Sequence, residues 1–170
     1  MATDRTVFPV TRTSATAAAA VGGGIGDSLK GVHVSGNNVA GFKVGATAVK
    51  AGQVVSISNA SALTFTVIPC VAEAGSSPIG VAITDGAVGA QIAVAMIGCI
   101  VRVSNYANDV NIDASERLTY NDAAPGGTVI AVGAGDTQEL VGRALADDTG
   151  SYLELTPMLV MCGAKVVIHA

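Results

Sequence analysis

Ile79-Gly80-Val81-Ala82-Ile83-Thr84-Asp85 returns 62 residues later as Val141-Gly142-Arg143-Ala144-Leu145-Ala146-Asp147. Upstream of each copy, Ala51-Gly52-Gln53-Val54-Val55-Ser56 lines up with Ala114-Ser115-Glu116-Arg117-Leu118-Thr119 at an offset of 63. Two copies of one supersecondary unit, over about 49–104 and 112–170, account for both matches. Each copy reads as a turn, a strand, a variable loop, and then a strand that carries Gly-x-Ala and ends in an aspartate turn. The glycines Gly80 and Gly142 let backbones approach closely, and Asp85 and Asp147 can hydrogen-bond the backbone of the turns they enter. These four are read as structural positions. Two such copies can close on each other as a small barrel or sandwich and so remove free strand edges.

The same grammar holds from about Val32 onward, where short apolar runs are punctuated by Gly, Asn and Asp. Leu63, Phe65 and Val67 alternate with Thr64 and Thr66, the period of a half-buried strand. Gln91–Val103 reads as one strand with Ile92, Val94 and Met96 on one face and the small Ala93 and Ala95 on the other. Both faces are dry, which places it between two layers or at a subunit contact, with Ile92, Val94 and Met96 the interface candidates. Leu153 and Leu155 alternate with polar neighbours, and the chain closes on the β-rich run Lys165–His169. No window has the pattern of a long amphipathic helix. The expected fold is therefore all-β, a compact small barrel or sandwich over residues 31–170 with little helix.

Residues 1–30 read differently, as an extended N-terminal arm. Ala17–Ala20 has room for one helical turn before Gly22-Gly23-Gly24 stops it. Within the arm, Val7-Phe8-Pro9-Val10 is a short apolar cluster stiffened by proline and flanked by Arg5 and Arg12. A terminal arm is ordinarily polar. An apolar one docks on something, either a partner or its own domain.

Composition narrows the function classes. Half of the 170 residues are hydrophobic, but aromatics are 4%, tryptophan is absent and 21 residues are glycine. Such a core rests on Val and Ala in strands and tight turns, not on large rings. Charged residues are 13%, against roughly 25% in ordinary soluble domains, so part of the surface is expected to be covered by other subunits. A net charge of −4 without a basic stripe argues against a nucleic-acid partner. No apolar run reaches ~18 residues, so no membrane-spanning helix is expected, and the start of the chain lacks a signal-peptide core.

Chemistry is hard to find. Cys70, Cys99 and Cys162 are odd in number, far apart and set in apolar runs, the pattern of buried free thiols. His33 and His169 have no cysteine or second histidine at ligand spacing, so neither a metal nor any other cofactor is expected. Asp147-Asp148-Thr149-Gly150 reads as a hairpin turn rather than a catalytic carboxylate pair. Gly22–Ser28 lacks the Lys-Ser/Thr ending, the strand and the helix of a phosphate loop. The expectation is a protein that is not an enzyme.

One family resemblance stands out. Ala51–Val55, the run Ile79–Ala87, Gly89 before a strand and Gly98 at its end resemble small bacteriophage capsid decoration (cement) proteins. Leu118-Thr119-Tyr120-Asn121-Asp122-Ala123-Ala124 and Leu140–Leu145 fit the same pattern, and the likeness covers about residues 49–156. The resemblance implies a β-barrel-like subunit that forms homotrimers on the outer surface of the virion capsid. There it clamps neighbouring copies of the major capsid protein, with Val7, Phe8, Pro9, Val10 and Arg12 of the arm as candidate capsid contacts. The main rival is a carbohydrate-binding or fibre-associated β module of a virion, which would display several of Phe8, Phe42, Phe65, Tyr106, Tyr120 and Tyr152 on one face. A hydrolase or lyase on a β scaffold would instead need Asp, Glu and His groups converging in a deep pocket.

Overall fold

The computed structural model describes residues 32–58, 66–71, 77–105, 112–121, 126–132, 137–148 and 155–167. The proposed capsid contacts Val7, Phe8, Pro9, Val10 and Arg12, with the rest of the arm, lie outside them. The described residues are all β: β1 (His33–Ser35), β2 (Val39–Val44), β3 (Val54–Ile57), β4 (Thr66–Pro69), β5 (Pro78–Ala82), β6 (Gln91–Ala95), β7 (Ile100–Ser104), β8 (Arg117–Tyr120), β9 (Val129–Ala131), β10 (Thr137–Ala144) and β11 (Leu155–Val167).

Five strands close into a barrel in the order β2-β4-β3-β5-β6. The β2–β4 pair is parallel, with Val44 opposite Val67, and the other pairs are antiparallel. Val44, Val49, Val55, Val67, Ala82, Ile92 and Val94 fill the interior. A five-stranded barrel has a narrow lumen that Val and Ala fill without large rings, which is where the aromatic-poor composition is used.

The remaining strands form a six-stranded sheet in the order β1-β7-β11-β10-β8-β9. A parallel bridge from Asn105, just past β7, to Val129 in β9 brings the two ends of its last five strands together. This curl has the connectivity of the barrel, with β7, β9, β8, β10 and β11 standing where β2, β4, β3, β5 and β6 stand. The bonds recur with it. The amide of Ala51 donates to Asp85 Oδ1 at 2.8 Å, and that of Ala114 to Asp147 Oδ1 at 2.7 Å. Gly52 N–H bonds Ala82 O at 2.8 Å, and Ser115 N–H bonds Ala144 O at 2.9 Å. Gly52 and Ser115 also share a positive φ, 90° and 76°. The bridge Val49–Gly86 has its counterpart in Ile112–Asp148.

Two features of the run over residues 91–103 differ from the reading of the sequence. Gln91–Val103 is two strands, β6 and β7, because Met96–Cys99 is a turn in which Cys99 N–H bonds Met96 O and Gly98 takes a φ of 88°. And the dryness of β6 arises inside one subunit: Ile92 and Val94 are 3% and 0% exposed in the barrel interior, while Met96 packs against the same cluster. Ile92 and Val94 are therefore interior to one subunit and cannot serve as subunit-interface residues, whereas Met96 is only partly buried. Ala95, on the opposite face, belongs to a second buried cluster that joins the barrel's outside (Val39, Val54, Cys70, Val81) to residues of the second sheet such as Val101, Val141 and Val160.

Gly80 and Gly142 occupy equivalent close approaches. A Cβ on Gly80 would collide with the Ala95 carbonyl and the Val94 side chain, and one on Gly142 with the Leu159 carbonyl and Met158. Replacing either with valine should lower the free energy of unfolding by about 1–3 kcal/mol through overpacking. Chemical denaturation of the two variants measures this, and an unchanged midpoint in both would contradict the close-approach assignment.

Candidate interaction surface

The aspartate turns do structural work. The Ala51 amide, aided by Lys50 Nζ at 3.6 Å, holds the Asp85 carboxyl below the usual carboxylate range. In the second turn Glu116 Oε2 accepts from the Asp113 amide at 2.9 Å while Asp147 holds Ala114. These acids are occupied by turn backbone, and no group of three His, Cys, Asp or Glu side chains among the described residues could hold a metal ion.

Asp148 is not a surface turn residue, as its place in Asp147–Gly150 had suggested. It is 7% exposed and accepts hydrogen bonds from Asn105 Nδ2 at 2.7 Å and from Thr156 Oγ1. Its equivalent in the barrel is Gly86, where a Cβ would meet Val44 Cγ2 at 2.8 Å and Ile92 Cγ2. Val44 and Ile92 are the equivalents of Asn105 and Thr156. Near the mouth of each curl the chain thus uses one of two self-consistent sets: Val, Gly and Ile, or Asn, Asp and Thr. Asp148→Ala strands two buried donors and should cost about 1–3 kcal/mol for each. Replacing all three, as Asn105→Val, Asp148→Gly and Thr156→Ile, removes donors and acceptor together and should recover most of that loss in urea denaturation.

The cysteines are free thiols; Cys70 and Cys99 are buried and Cys162 is partly buried. Burial pushes Cys99 up, and burial with Cys70 nearby pushes Cys162 up to about 12. The thiolate is the nucleophile. Alkylation of native Cys162 by iodoacetamide at pH 8 should therefore run about a thousandfold slower than that of an unperturbed thiol, and peptide mass spectrometry after timed labelling reads the rate. Labelling at the rate of the unfolded protein would contradict this environment.

What distinguishes the two curls is their outer faces. Across the barrel, Val54, Val81, Ala95 and Val39 form one row in register over β3, β5, β6 and β2. All four are buried, at 0%, 0%, 0% and 5% exposure. Backbone bonds clamp the β8–β9 turn beside this row: Val54 N–H to Gly127 O and Gly127 N–H to Cys70 O, both at 2.7 Å. The matching row of the second sheet is Arg117, Arg143, Leu159 and Ile100, over β8, β10, β11 and β7. Arg117 and Arg143 are exposed, and Leu159 and Ile100 half-buried. The part-buried Arg102 lies on the same outer face, opposite Pro157. Reading the sequence for motifs missed these arginines, although the self-alignment holds the signal: Val54 stands against Arg117 and Val81 against Arg143.

No family model and no curated protein matches the chain. Among solved structures it is similar to the N base of the head fiber gp8.5 of bacteriophage phi29, at 17% identity and a TM-score of 0.52, over 72% of this chain and 94% of that one. At that identity the likeness is one of fold.

Proposed function

We propose that this chain is a structural protein of a phage virion. It decorates the outer surface of the mature head, binds the major capsid protein as a homotrimer and ties neighbouring capsid subunits together. The observation that carries this reading is the fold shared with a head-fiber base, which extends over 94% of that chain. The sequence resemblance to capsid decoration proteins supports it independently. A cement protein does no bond chemistry. It binds the expanded shell but not the precursor, and so stabilises the shell by mass action. Joining three copies lets modest contacts sum to firm attachment. Scarce charge and the exposed Ile57, Val88, Ile97 and Leu145 suit subunit contact.

A second reading, a fibre-associated module, is favoured by the neighbour being itself a fiber base. The carbohydrate-platform version is less favoured, because Phe42 packs against the barrel core and Tyr120 against the shared cluster. Copy number separates the two. Quantitative mass spectrometry of purified virions should find this protein at an abundance similar to that of the major capsid protein; a few copies per virion would select the fibre module, and absence would overturn both. Light scattering on the isolated protein should give a trimer mass, and a monomer at micromolar concentration counts against the trimer.

A further inference from the structure

We propose that the row Arg117–Arg143–Leu159–Ile100 is the surface through which this chain docks on a protein partner that presents carboxylates. The inference rests on the head-attachment reading and names the part of the molecule that makes the attachment.

Its first support is the recurrence. The barrel uses the equivalent row, Val54–Val81–Ala95–Val39, as an interface inside the chain, where it is buried against the second sheet. The second sheet has the same row, with the same pairing, and no described element of the chain covers its two arginines. A row built for contact in one copy is left open in the other.

The second support is charge. Arg117 and Arg143 are direct cross-strand partners, and like charges placed opposite each other on a sheet repel. Among the described residues neither has an acid within ion-pair distance. The nearest acids by sequence bond elsewhere: Glu116 to the Asp113 amide, Asp147 to the Ala114 amide, and Glu139 through Oε1 to Ser77 Oγ at 3.0 Å, its Oε2 taking no hydrogen bond among the described residues. In a chain with only nine lysines and arginines and a net charge of −4, two guanidiniums side by side and unpaired among the described residues are conspicuous. The guanidinium fork suits carboxylates, which it can bind in bidentate fashion. Leu159 and Ile100 beside the pair supply apolar area, so the row combines arginine anchors with apolar contact as protein interfaces do. Two arginines on an otherwise acidic chain make a poor track for nucleic acid, which needs many phosphate contacts to hold at physiological salt.

The test is co-sedimentation with phage heads lacking this protein, between about 50 and 500 mM NaCl. Wild type, R117E/R143E, R117Q/R143Q and the control K43E are compared, with circular dichroism to confirm folding. Lys43 is an exposed cation on the barrel, away from the row. Wild-type binding should weaken with salt, charge reversal should weaken it about tenfold or more at low salt, and K43E should bind as wild type. The glutamine variant preserves shape without charge, and should lose affinity and most of the salt dependence even if the reversal unfolds the sheet. Charge-reversed or glutamine protein that binds as wild type overturns the inference while leaving head attachment standing. Equal weakening by K43E overturns it too, since net charge then explains the loss, and so does binding that disappears when the heads are treated with nuclease. Heads that fail to take up wild type overturn the attachment reading, and the row's assignment with it.

Discussion

Strands β3, β5 and β6 are buried on both faces, and the rest of the molecule is arranged around that constraint. Their inner residues, Val55, Ala82, Ile92 and Val94, fill a barrel too narrow to bury much apolar surface by itself. Their outer residues, Val54, Val81 and Ala95, are covered only because the second sheet lies against them. A fully buried valine contributes roughly 1.5–3 kcal/mol, so the barrel depends on its neighbour for a large share of its stability. The backbone bonds from the β8–β9 turn to Val54 and Cys70 hold that neighbour in register and satisfy polar groups that the contact removes from water.

The recurrence also shows how one backbone arrangement tolerates different chemistry. Where Val44 and Ile92 converge, only a residue without a side chain fits, and Gly86 is there. Where Asn105 and Thr156 converge, the same position carries Asp148, which accepts from both. Either set is stable because it is complete. A mixture would leave a buried donor unpaired or force atoms into contact, which is why the three positions differ together.

The outer rows carry the contrast between the two curls. A valine row makes the contact within the chain; an arginine row on the second sheet faces outward. In repeat architectures a terminal unit must replace its sticking surface with a polar one to remain soluble. Arg117 and Arg143 meet that need and, in the same stroke, give the exposed row a charge preference. The aspartate turns, the buried thiols and the glycine contacts all serve the scaffold.

The amino-acid sequence by itself determined the all-β class, the positions of the aspartate turns and the self-match at 62 and 63 residues. These are local: they follow from alternation, from turn residues and from a carboxylate reaching an amide on the adjoining turn. Tertiary structure decided which faces are inside. The apolar run over residues 91–103 looks two-sided and continuous in one dimension. Gly98 splits it, and only the docking of two curls makes one side a barrel interior and the other an in-chain interface. Asp148 looked like a turn residue because its partners, 43 residues before it and eight after it, meet only once the second sheet curls. Burial of a whole face depends on long-range packing, and neither the period of a strand nor its composition says which neighbour will cover it.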